Sequence, residues 1–106
     1  MPKYLLQVSY TADGARGVLK DGGTKRQAAA RALVESVGGK LEALYFAFGE
    51  CDVFAIADLP DNGSAAAVSL ALGASGAVTS TTTVLLTPTE MDQAAKKSAS
   101  YTPPGR

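Results

Sequence analysis

Apolar and polar residues alternate from the third position of the chain. Over residues 3–10, Tyr4, Leu6, Val8 and Tyr10 fall on one face and Leu5, Gln7 and Ser9 on the other. That two-residue period predicts a half-buried strand. Thr11-Ala12-Asp13-Gly14 breaks it. Thr11 is placed to cap a short helical turn running to about Leu19, and Asp21-Gly22-Gly23 interrupts the chain again. The period then lengthens. Ala29, Leu33 and Val37 recur at four-residue spacing, with Ala32 and Ser36 beside them, while Arg26, Arg31 and Glu35 point elsewhere. This predicts a helix over 24–38, opened by the capping-box spacing of Thr24 and Gln27 and stopped by Gly38-Gly39.

Two strongly apolar runs follow, 41–48 and 53–57, joined by the polar turn Gly49-Glu50-Cys51-Asp52. A turn this short fixes the pairing of the strands on either side. In the second strand, predicted over 40–48, Leu44, Phe46 and Phe48 share one face and Leu41, Ala43, Tyr45 and Ala47 the other. The third strand, 51–58, ends at Pro60-Asp61-Asn62-Gly63, because proline cannot donate to a ladder and the rest are turn formers. Ser64 to about Gly73 reads as a helix of small residues with Val68, Ala71 and Leu72 inward. Residues 78–87 form a fourth strand around the β-branched run Thr79-Ser80-Thr81-Thr82-Thr83, and Pro88-Thr89 opens a last short helix to about Ala95. The Ser- and Pro-rich stretch 98–106 is expected to be a disordered tail, leaving 1–97 as the folded domain.

The order β-α-β-β-α-β plus a C-terminal helix is that of an α+β, ferredoxin-like split βαβ sandwich, a four-stranded antiparallel sheet with helices on one face. Strands two and three are apolar on both faces. The face without helices is therefore expected to be buried against a second copy of the chain, as a dimer or larger homo-oligomer.

Composition narrows the chemistry. A chain of 106 residues makes one domain with one modest core. Ten basic and ten acidic residues cancel, so there is no electrostatic footprint for a nucleic acid or an anionic membrane. The single cysteine rules out an internal disulfide and fits a reducing compartment. The N-terminus lacks signal-peptide features, and no apolar stretch approaches the ~20 residues that span a bilayer; the expected location is the cytoplasm. Histidine is absent, which removes the commonest general base, metal ligand and partner of a nucleophilic side chain. One cysteine cannot make a structural zinc site. Neither a metal nor a cofactor is expected, and the glycines lack the spacing of a nucleotide-binding loop.

Candidate chemistry gathers near the 49–52 turn. Asp52 shares a strand face with Phe54, Ile56 and Asp58, so a carboxylate stands near apolar neighbours. It is the candidate general base or polar ligand group, set against the plainer role of a turn residue accepting backbone N–H bonds. Cys51 has acids on both sides, which disfavours a thiolate, and reads first as a small, half-buried strand residue. Tyr4, Tyr10 and Tyr45 are expected around one pocket, each hydroxyl needing a partner. Arg31, on an alanine-rich helix, is a candidate grip for a carboxylate or phosphate. The expected ligand-binding set is Tyr10, Arg31, Tyr45, Cys51 and Asp52.

The order and spacing of residues 4–11 with Gly14, Ala29-Ala30-Arg31 with Gly38-Gly39, Tyr45 with Gly49, the Gly49-x-Cys51-Asp52 turn, Pro60-Asp61, and Leu70-Ala71-Leu72-Gly73 with Gly76 before Val78 resemble the GYD-domain family. These are small bacterial proteins of ferredoxin-like, dimeric α/β-barrel type with no assigned biochemical role. The resemblance covers residue 2 to about residue 92. Cys51 stands where the family's signature tyrosine is expected, and Asp58 where a glutamate is. Three functions stay open. The first is a homo-oligomer that binds a small apolar molecule in a cleft near the 49–52 turn. The second, by analogy with dimeric α/β barrels, is a cofactor-free oxygenase or isomerase acting on an aromatic or polyketide-like substrate, with Asp52 as base and Tyr45 or Tyr10 orienting. The third is a structural or regulatory module that recruits a different chain. The first is preferred, and whether the chain is an enzyme is left open.

Overall fold

The computed structural model describes the whole chain, residues 1–106. Its elements are β1 (Lys3–Tyr10), α1 (Ala12–Ser36), β2 (Lys40–Phe46), β3 (Val53–Asp58), α2 (Asn62–Ala74), β4 (Val78–Leu85) and α3 (Pro88–Ala95). The strands form one antiparallel sheet in the order β2-β3-β1-β4. α1 packs on β2 and β1, and α2 packs on β4. This is the α+β, ferredoxin-like arrangement that the hydrophobic pattern predicts, with one helix added at the C-terminus.

Alternation in β1 sets the layers. Tyr4, Leu6 and Val8 are buried beneath the helices, and their partners Ala57, Ala55 and Val53 on β3 are buried with them. Val34 of α1, Ala65 and Val68 of α2, Leu41, Leu59 and Val78 complete the core. Tyr4 is the largest fully buried side chain, and its hydroxyl donates to Asn62 Oδ1 at 2.6 Å, so no buried phenol is left unpaired. Leu5, Gln7 and Ser9 of β1, Phe54 and Ile56 of β3, and Thr79, Thr81 and Thr83 of β4 lie in register on the other face, which no helix covers.

Thr11 ends β1 and starts α1. Its Oγ1 accepts from the Gly14 N–H at 3.3 Å, and its own N–H donates to the Ala77 carbonyl at 2.9 Å. A Cβ on Gly14 would stand 2.0 Å from that carbonyl oxygen, so only glycine lets the first turn of α1 lie against the entry to β4. The expected break in the middle of α1 is present at Gly22, at φ 79° and ψ 170°, a conformation that favours glycine. Beyond it, the inward stripe differs from the expected Ala29, Leu33, Val37 set. Val34 is buried, with Ala30, Leu33 and Val37 packed beside it, while Ala32 and Ser36 face solvent. The Gly38 N–H donates to Glu35 O and the Gly39 N–H to Val34 O, both at 3.0 Å, with Gly38 at φ 81°. These are the bonds that close a helix on a left-handed glycine.

β2 corrects the strand reading. The register passes from Leu41↔Ala57 to Ala43↔Ile56, skipping Glu42. The bulge returns Leu41 to the core face together with Leu44 and Phe46, and leaves Ala43 and Tyr45 on the open face. An extra residue in one strand shifts every later side chain by one face, and strict alternation has no signal for it. β2 also stops at Phe46, so Phe48 stands fully in solvent. In α2 the Asp61 carboxylate accepts from the Ser64 N–H at 2.8 Å and caps the helix. Val68 is buried and Leu72 half-buried, but Ala71, expected inward, is exposed. β4 ends at Leu85, two residues before the expected limit. Thr87 instead caps α3 through a reciprocal capping box with Glu90.

Candidate binding site

The two main helices flank a cavity of about 120 Å³ above the core face of the sheet. Its floor is Leu6, Val8, Leu44, Phe46, Val53 and Ala55. α1 contributes Arg26, Ala29, Ala30 and Leu33, α2 contributes Val68 and Leu72, and Tyr10 closes one end from β1. Alanines on α1 hold that helix close to the sheet without filling the space, and the small residues of α2 do the same on the other side. Arg26 is the one charged residue in the wall.

Arg26 is placed by the break at Gly22. Gly23 follows close over Phe46, where a Cβ would stand 3.2 Å from the ring and ask it to shift by a few tenths of an ångström. The helix that resumes carries Arg26 one turn before Ala30, on the same inward stripe. The guanidinium is part-exposed, and Asp21 Oδ2 lies 3.8 Å from Nη1, beyond hydrogen-bonding distance. Burial pushes the Tyr10 phenol above its usual 10.0; the Arg26 charge pulls it back and the Asp52 charge adds to the rise. At neutral pH the Tyr10 hydroxyl therefore keeps its proton and can donate.

The expected ligand-binding residues do not converge. Tyr10 lines the cavity. Asp52 lies just outside it, where Oδ2 accepts from the Tyr10 N–H at 2.8 Å. Its backbone N–H donates to Val8 O and its carbonyl accepts from the Ala47 N–H, both at 2.8 Å. Asp52 thus extends the sheet past the end of β3 and holds Tyr10 in place. Cys51 is buried, with Sγ donating to Val53 O at 3.7 Å. It borders a shallow polar depression on the open face, about 230 Å³, with Gln7, Ser9, Glu50 and the start of β4. Tyr45 is also on the open face, opposite Phe54. The pocket expected to join Tyr4, Tyr10 and Tyr45 does not exist, because the sheet separates Tyr45 from the other two. Arg31 faces solvent on α1, away from the cavity.

Arg26 is the residue that periodicity missed. Had the inward stripe been drawn through Ala30, Leu33, Val34 and Val37, Arg26 would have fallen four residues before its first member, on the same face. No three His, Cys, Asp or Glu side chains come together as metal ligands, and no helix is long and apolar enough to cross a membrane.

A four-stranded antiparallel sheet with two helices on one face and an apolar cleft between them defines a ferredoxin-like α+β domain. The model of the GYD domain matches residues 4–95, and the chain belongs to that family. No curated protein and no solved structure matches the chain.

Proposed function

We propose that the protein binds a small apolar molecule in the cleft between α1, α2 and the sheet, and does so as a homo-oligomer. The observation that carries the first part is the cavity itself. Protein interiors are close-packed, and an apolar cavity with one polar end and a single charged residue is the usual form of a small-molecule site. The Tyr10 hydroxyl and Arg26 are the polar groups available to orient what enters. The oligomer is supported by the open sheet face, where Leu5, Tyr45, Phe54 and Ile56 form an apolar patch that no helix covers. The lone, buried cysteine fits a reducing compartment, the cytoplasm.

A thermal-shift panel of single-ring aromatic and short aliphatic compounds tests the binding, run on the wild type and on Ala30→Leu, which fills the cavity. Stabilisation of the wild type alone is the expected result. A panel that leaves the wild type unchanged, or stabilises both equally, removes the cleft as the site. Native mass spectrometry tests the assembly, and a strictly monomeric chain removes that part.

A further inference from the structure

We infer that the occupant of the cleft is a small apolar monocarboxylic acid, its ring or short branched chain seated against Leu33, Leu44, Val53 and Leu72 and its carboxylate held by Arg26. This rests on the cleft being the binding site and adds the chemical class of the ligand.

Three observations carry it. The cavity is close in size to the roughly 150 Å³ apolar voids that accept benzene, so it takes one ring or a few branched carbons and no more. Its wall holds one cation and no anion. The Arg26 side chain lines this cleft and is 40% exposed. The carboxylate in salt-bridge range, Asp21, stands at 3.8 Å, too far to accept a hydrogen bond from the five-donor fork. A guanidinium so placed presents two parallel N–H groups to an incoming carboxylate. Tyr10 lines the same wall and brings a further donor in its hydroxyl. A monoanion is matched by the one positive charge. The second charge of a phosphate ester would meet Asp21 and no second cation. A neutral ligand would gain no charge-assisted hydrogen bond from the guanidinium.

The test is calorimetric titration of the full chain with phenylacetate and with its neutral isostere phenylacetamide, on the wild type, Arg26→Gln and Arg26→Lys. In the wild type, phenylacetate is expected to bind at least about tenfold more tightly than phenylacetamide, the scale of a hydrogen bond to a charged group. Arg26→Gln is expected to bring the two affinities together by weakening phenylacetate alone. Arg26→Lys keeps the charge without the fork and is expected to give an intermediate preference, and it serves in place of Arg26→Gln if that variant does not fold. Equal affinities in the wild type, or a preference that survives both substitutions, overturn the carboxylate and leave the cleft standing. If neither compound binds the wild type, the inference falls, and the cleft reading stands or falls separately on the thermal-shift panel.

Discussion

Asp52 shows how a residue with chemical promise can be consumed by structure. Its carboxylate accepts the N–H of Tyr10, the last residue of β1, at 2.8 Å. Asp52→Ala leaves that donor without a partner and is expected to destabilise by about 1–2 kcal/mol, the cost of an unmade hydrogen bond at a partly buried site. Asp52→Asn keeps an acceptor in place and is expected to cost less than half as much. Chemical denaturation of the two variants checks the order. Tyr10 itself gives a pH signature. Its phenol is held above 10.0, chiefly by burial, so the unfolded chain loses that proton first as the pH rises. The folded state then binds more protons than the unfolded one, and stability falls through and above pH 10. Tyr10→Phe is expected to melt with a shallower alkaline decline than the wild type. An unchanged slope would mean that the phenol is not sheltered. Both residues were legible as candidates in the sequence, Asp52 through its turn and Tyr10 through the alternation of β1. That they touch was not, because the contact is set by the register of two strands far apart in the chain. Arg26 was missed because alanines carry little directional information; with Ala28, Ala29, Ala30 and Ala32 in one stretch, two neighbouring stripes fit the pattern equally well.

Among the elements, β1 and the break at Gly22 were readable because each leaves a local mark, strict alternation in one and an Asp-Gly-Gly sequence in the other. β2 was not, because nothing in Lys-Leu-Glu-Ala-Leu marks Glu42 as the residue without a partner. The bulge makes a prediction opposite to strict alternation. Leu41, which alternation groups with Ala43 and Tyr45 on the open face, is buried at 7% exposure, and Phe48, beyond the end of β2, is 101% exposed. Leu41→Ala is expected to cost about 2–4 kcal/mol as a core truncation, and Phe48→Ala less than about 0.5 kcal/mol as a surface change. Urea midpoints of the two variants check both points: a loss on Leu41→Ala as small as that of a surface change would take Leu41 off the core face and remove the bulge, whereas a core-sized loss on Phe48→Ala would carry β2 past Phe46. The start of α1 is as strict as β2 is permissive. Gly14 lies against the Ala77 carbonyl with no space for a methyl group, and Gly14→Ala is expected to lower stability by about 1–3 kcal/mol, the scale of overpacking, read as a drop in melting temperature. Gly14 was visible in the sequence as part of a turn, whereas its contact with a residue more than sixty positions away was not.

At the scale of the whole molecule, the single chain is too open for its mass. Its accessible surface is 7186 Å², about 1,700 Å² above the roughly 5,500 Å² expected of a folded monomer of 10.8 kDa. Its radius of gyration is 16.8 Å, against about 13 Å for a compact chain of this length. Two regions stand out as exposed. One is α3 and the residues after it, among which no side chain is buried. The other is the open sheet face, where Tyr45 is 73% exposed beside Phe54. A stable dimer buries about 800 Å² per partner, within the total excess, and the two regions make separable predictions. Ending the chain after Thr87 removes no core residue and is expected to leave the melting temperature of the isolated domain unchanged. Tyr45→Lys alters a side chain that the single chain leaves in water and is likewise expected to spare the fold. If the sheet face joins the copies, that lysine is buried without a partner at the contact, a cost of several kcal/mol. The variant then sediments as a folded monomer while the truncated chain stays assembled. The reverse pair of results, with dissociation on truncation and none with Tyr45→Lys, moves the contact to the C-terminal helix and leaves the sheet face open to a different partner.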